Sequence, residues 1–237
     1  MSITQAAAWI FSIDFFKPIT NSCPTFPPSP AIFGAVSNDL NDVVVGTDRG
    51  EVYHLNQRNN KTEKILQVDN KIWEIKIHPS KPIIGIVELK NHASYNFYYK
   101  NLKNNDPAVK LYTSPDDQQR FMVGCRFSSS GDHLALWGGS VHVGALVIYD
   151  GNTGNELFKD ETTHKKAIFS LRFSPDETVF ASCSIDESVR FWNSKTFKTQ
   201  GKLLQHQAEV WNGEFSPDQS RFVTYTSKGE LGVWSTE

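Results

Sequence analysis

Three residues with the composition of a nucleophilic triad, His164, Ser182 and Asp186, fall close together in the chain, with Trp192 just beyond them. A serine hydroxyl, a histidine to take its proton and an aspartate to orient the ring could perform acyl transfer, so geometry must decide what they do. Clustered acids offer a second chemistry: Asp116-Asp117, and Asp39 with Asp42, bring carboxylates together as glycoside hydrolysis requires. These acids sit in turn-like sequence, where Asp is favoured simply as a turn former. The loop GGSVHVG (138–144) has the glycines of a phosphate cradle, but it lacks the Gly-Lys-Ser/Thr ending and leads into strand-like LVIYD. It reads as a hairpin turn. The seven histidines are scattered and no two of Cys23, Cys125 and Cys183 stand at zinc spacing, so neither a metal nor a cofactor is expected.

The elements that must carry these residues repeat. HKKAIFSLRFSPDETVFASCSIDESVRFW (164–192) and HQAEVWNGEFSPDQSRFVTYTSKGELGVW (206–234) superpose without gaps: His164 and His206, Phe173 and Phe215, and Trp192 and Trp234 are each 42 residues apart. Such a period marks an array of small units, none able to bury its apolar faces alone. Within a unit the period is two: Phe169, Leu171 and Phe173 alternate with Ile168, Ser170 and Arg172, and Ser-Pro-Asp then turns the chain. VFASCS, SVRFW and GKLLQ read as second, third and fourth strands. Four short antiparallel strands per unit, with no helix between units, describe a propeller blade.

These residues are similar to those of the WD-repeat (WD40) family, which opens its unit with a His, here His164 or His206, and ends the third strand in Trp-Asp, here Trp192-Asn193 or Trp234-Ser235. The resemblance implies that His164, Ser182, Asp186 and Trp192 form a structural hydrogen-bonded tetrad rather than a catalytic set. Mutually satisfied buried polar groups of that kind stiffen a blade. The Asp position is Lys228 in the fifth unit, Arg49 in the first and Val143 in the third, so the tetrad is complete once.

Aligned first-strand ends fall at Val36, Ile77, Phe127, Phe173 and Phe215, and third-strand ends at Leu55, Tyr98, Tyr149, Trp192 and Trp234. The expected fold is an all-β propeller of four-stranded antiparallel blades, a single domain over 1–237 with five recognisable blades at about 31–67, 70–113, 121–160, 164–205 and 206–237. The fifth unit lacks a fourth strand, and the apolar segment AAAWIFSIDFF (6–16) is unassigned. The resemblance implies that 6–16 closes the ring by pairing with GELGVW, which removes an unpaired edge. The proline-rich NSCPTFPPSP (21–30) then reads as the connector into the first blade. A rival reading aligns Ile10–Phe15 with Ile168–Phe173 as the relic of a further blade, leaving an incomplete ring that self-associates or pairs with another propeller.

Composition bounds the partners. The chain of 237 residues has 24 Lys and Arg against 26 Asp and Glu, so its net charge of −2 supplies no basic field for nucleic acid or anionic membranes. Asp14 breaks the N-terminal apolar run with no Lys or Arg before it, which fits neither a signal peptide nor a membrane span. Three widely spaced cysteines fit reduced thiols, hence a cytoplasmic protein. Some five-bladed propellers are glycosidases, whose acids would have to project from inner strands, where Glu74 and Glu214 stand; both read as polar channel lining. The expectation is a non-catalytic scaffold for protein partners. Recognition is expected on the longer loops, ELKNHASYN (88–96) with Asn91 and His92, GGSVHVG with His142, and SPDDQQR (114–120). A second candidate is the recurring aromatic set Trp73, Phe169 and Trp211, although a face shared with Ile75 and Leu171 would also explain it as core.

Overall fold

The computed structural model describes residues 31–91, 94–104, 106–114 and 121–236, and among them there are nineteen strands and no helix. The segment 6–16, the connector 21–30, His92 and the acids Asp116 and Asp117 lie outside the described residues.

The strands form five antiparallel sheets, each a meander in chain order. The first holds β1 (Ala31–Val36), β2 (Asp42–Thr47), β3 (Glu51–Asn56) and β4 (Lys61–Gln67). The second holds β5 (Ile72–Ile77), β6 (Ile83–Asn91), β7 (Ser94–Asn101) and β8 (Val109–Thr113). The third holds β9 (Phe121–Phe127), β10 (His133–Gly139), β11 (Gly144–Asp150) and β12 (Glu156–Asp160). The fourth holds β13 (Ile168–Phe173), β14 (Val179–Ser184), β15 (Ser188–Asn193) and β16 (Thr199–Gln205). The fifth has three, β17 (Val210–Phe215), β18 (Arg221–Thr226) and β19 (Leu231–Ser235).

Each sheet packs face to face on the next, with β1, β5, β9, β13 and β17 as the neighbouring inner strands. Apolar clusters fill the four gaps. Val44, Ile72 and Ile86 lie between the first two sheets, Phe97, Leu136 and Tyr149 between the second and third, Trp137, Leu171 and Trp192 between the third and fourth, and Cys183, Val210 and Phe222 between the fourth and fifth. Alternation along each strand serves both neighbours at once, which is why strands such as β11 are buried nearly throughout.

The turns between first and second strands repeat one chemistry in the first, fourth and fifth sheets. Ser174 Oγ donates to Asp176 at 2.6 Å, and Asp176 accepts the Thr178 N–H at 3.0 Å. Ser216–Ser220 and Ser37–Asn41 copy this arrangement, and the residue after each Asp, Glu177, Gln219 or Leu40, takes a positive φ of about 60°. Asp39 is thereby committed to its turn. The hydrogen bonds from Ser37 and Asn41 hold its carboxyl down at about 2.

The structure corrects the second unit. The segment 88–96 does not form a long loop: β6 runs on to Asn91 and β7 begins at Ser94, so the extra residues lengthen a hairpin. As a result Lys100, not Tyr98, takes the position of Trp192, because Ile84 faces Lys100 where Phe180 faces Trp192. Lys100 is buried, and its Nζ donates to the Asp106 carbonyl at 2.7 Å.

Candidate functional site

The His164 constellation has the distances of a triad. With the ring proton on Nδ1, that N–H donates to Asp186 at 2.9 Å, and Nε2 accepts the Ser182 hydroxyl at 2.7 Å. Ser182 Oγ also accepts the Trp192 indole N–H at 2.8 Å. A nucleophile must be reachable, and Ser182 is 0% exposed with Trp192 closing its other side. Asp186 further accepts the Lys165 and Ser188 N–H groups and the Ser188 hydroxyl. Burial pushes its carboxyl up, but the His164 ring and these donors outweigh that and hold it well below the usual carboxylate range. Every polar group of the chain is used internally. It joins β14, β15, the turn between them and the loop before β13 into one unit.

The second sheet meets the same need differently. Glu88, paired with Ile72 as Ser184 is with Ile168, is buried and accepts four hydrogen bonds: from the Asn70 N–H and amide, from Asn96 at 2.7 Å and from the Tyr98 hydroxyl at 2.8 Å. Burial pushes the Glu88 carboxyl up, and these donors bring it below its ordinary value. Sequence reasoning missed this residue because its partners come from two separate segments, the loop before β5 and strand β7.

The inner-strand acids are also engaged. Glu74 accepts the Cys125 N–H across the sheet gap at 2.8 Å and pairs with Lys76 at 2.9 Å, while Glu214 pairs with Arg172 at 2.9 Å. Two inner strands, β9 and β13, stand between them, and no glycosidase-like pair is assembled.

The aromatic set has a clear structural origin. Ile72 pairs with Glu88 and Glu74 with Val87, so Trp73 is an extra residue, a β-bulge; Phe169 and Trp211 occupy the same bulge in the fourth and fifth sheets. A bulge re-aims its side chain. It takes these aromatics off the face of Ile75 and Leu171, which are 2% and 0% exposed, whereas Trp73 is 37% and Trp211 42% exposed. Phe169 is half-buried. Trp73 leans on Phe33 with Lys71 over its ring, and Trp211 meets Tyr225 edge-on.

All three bulges lie at the end of the sheets where second strands turn into third strands. The Ser140–Val143 turn is at that end, with His142 and Val141 exposed, and so is Asn91, the last residue of β6. At the opposite end, a recess of about 550 Å³ between the first two sheets is lined by the pairs His54 with Asp42, Arg58 with Asp39 and Lys61 with Glu63, together with Lys81 and Lys103. No group of three or more metal-ligating side chains occurs among the described residues.

Comparison with known proteins gives the polar chain its context. The family described as "WD domain, G-beta repeat" matches residues 156–193, the segment that holds His164, Ser182, Asp186 and Trp192. Residues 156–193 are a WD repeat. Among the chain's relatives is the meiotic recombination protein rec14 of Schizosaccharomyces pombe, 34% identical over 87 residues, which are 35% of this chain and 29% of the relative. Mouse WD repeat-containing protein 1 is 30% identical over 162 residues, 62% of this chain and 26% of the relative. Actin-interacting protein 1 of Drosophila melanogaster is 32% identical over 130 residues, 50% of this chain and 21% of the relative. The chain therefore matches less than a third of the length of these relatives.

Proposed function

We propose that the chain is a non-catalytic platform for protein–protein contacts, engaged at the end of the sheets where the bulges present Trp73 and Trp211. WD-repeat proteins generally act as interaction scaffolds without catalysis. The carrying observation is the bulge itself. It turns large aromatics out of the core at one repeated level, and exposed aromatics on a rigid frame are the usual anchors of an interface. His142 and Asn91 extend the same rim, and His92 adjoins it in sequence. One relative is named for interacting with actin, which makes actin the first protein to assay. Stoichiometric capture of a partner by the full chain, set against any sugar-hydrolysing activity, tests the reading; hydrolysis with no partner would reverse it.

The fifth sheet favours a second reading, that the outer sheets are covered by something further. On the fourth sheet, Ala181, Cys183 and Val189 bury against the fifth, whereas the matching Val223, Tyr225 and Leu231 are half-buried or exposed. In this reading residues 6–16 complete the fifth sheet along β19, or a second copy covers its face. Light scattering separates them: a monomer fits the segment, a stable dimer the second copy. We also propose a cytoplasmic location, a reading that the free, buried thiols of Cys125 and Cys183 support.

A further inference from the structure

The penultimate residues of the inner strands β1, β5, β9, β13 and β17 are Ala35, Lys76, Arg126, Arg172 and Glu214, so one level carries three cations side by side. Lys76 is paired with Glu74 and Arg172 with Glu214. The side chain of Arg126, between them and half-buried, has no hydrogen-bond or ion-pair partner among the described residues. Burial, then the neighbouring Arg172, pull its pKa down, and Glu214 and Glu74 only partly oppose this. A half-buried guanidinium beside a second cation is an unfavourable arrangement, and an oxyanion relieves it.

There is room for one. A cavity of about 330 Å³ lies along β1, β5 and β9, lined among others by Gly34, Ala35, Asn38, Lys76, Arg126 and Ser128. Ala35 is short where the other four inner strands carry the long charged side chains Lys76, Arg126, Arg172 and Glu214, and this leaves the space beside it open. At ~30 Å³ per water it holds the equivalent of roughly ten waters, enough for a phosphate- or carboxylate-bearing head group.

We propose that this cavity binds a small oxyanion, with the Arg126 guanidinium as its fork, Lys76 as a second charge, and Asn38 and Ser128 as neutral polar groups. The planar fork of arginine suits two oxygens of one phosphate or carboxylate. The site is independent of the proposed protein interface, which lies at the other end of the inner strands.

The test is thermal unfolding of the full chain with pyrophosphate, with citrate, and with sodium chloride at equal ionic strength. Pyrophosphate at about five times its Kd is expected to raise Tm by about 2–4 °C. Sodium chloride should do less, since bulk salt only screens. Citrate acting alone would support the site and make carboxylate its ligand. Arg126→Gln and Ala35→Glu, the latter placing a carboxylate in the cavity, should each abolish the shift. If Arg126→Gln does not fold, Ala35→Glu carries the comparison. The proposal is overturned if chloride shifts Tm equally, if neither anion shifts it, or if the shift survives a folded variant.

Discussion

The fourth and fifth sheets share one sequence register, and the three strands of the fifth repeat the first three of the fourth, yet the two use their polar residues differently. In the fourth, Asp186 completes a chain from His164 through Ser182 to Trp192. In the fifth, Lys228 stands where Asp186 would be and donates to the Gln207 carbonyl at 3.3 Å. Trp234 still donates to Thr224 at 3.0 Å, but His206 only lies edge-on against the Trp234 ring, and its Nε2 is buried without a partner among the described residues. The contrast shows what the chain of hydrogen bonds is for. The strands and the Trp-to-hydroxyl bond form without it, so the Asp-to-His link is a reinforcement that ties the loop before β13 to the sheet. A catalytic reading predicts no such graded use.

Substitutions can widen or close this gap. The largest effect is expected from Trp192→Ala, which empties a fully buried site and should cost about 3–5 kcal/mol, with Trp234→Ala costing less because that ring is only half-buried. Denaturant unfolding measures both. Next comes Asp186→Ala, expected to lose about 2–3 kcal/mol by stranding the His164 and Ser188 donors. The converse graft, Lys228→Asp, gives His206 an acceptor and should gain about 0.5–1.5 kcal/mol; a loss would mean that the fifth sheet cannot form the link.

Acid unfolding sharpens the same comparison. Burial lowers the His206 pKa from 6.5, so the stability owed to its neutral ring is full above 6.5 and is lost as pH falls toward the folded value. The Asp186 pKa is depressed from 3.8, so its contribution is present above 3.8 and is lost only at lower pH, as its folded value is approached. A stability profile should therefore fall in two stages, and Asp186→Ala should shrink the lower one, which Asp39 and Glu88 also feed, while leaving the upper one unchanged. A single early transition in which the wild-type chain and Asp186→Ala coincide would contradict this assignment.

Much of the architecture is legible in the residues alone. The aligned ends Val36, Ile77, Phe127, Phe173 and Phe215 are the last residues of the five inner strands. They could be read because turn chemistry and strand alternation are local. The bulges could not. One inserted residue breaks the period of two, so strict alternation assigns Phe169 to the face of Leu171, while the ladder skips it between Ile168 and Ser170. Lys100 was hidden by the tyrosines before it, since only the length of the β6–β7 hairpin fixes the register there. Glu88 reads as a loop residue until the segments around it are brought together.

The smallest expected change in stability accompanies the largest in function. Trp73 and Trp211 are surface residues by geometry, and surface substitutions usually stay within about 0.5 kcal/mol. The decisive measurement is the double variant Trp73→Ala/Trp211→Ala in the full chain, followed by both thermal unfolding and stoichiometric partner capture. An unchanged Tm with the partner lost is the predicted result. A partner retained at full occupancy by the folded variant would contradict the central claim that the bulged aromatics are the contact surface of this scaffold.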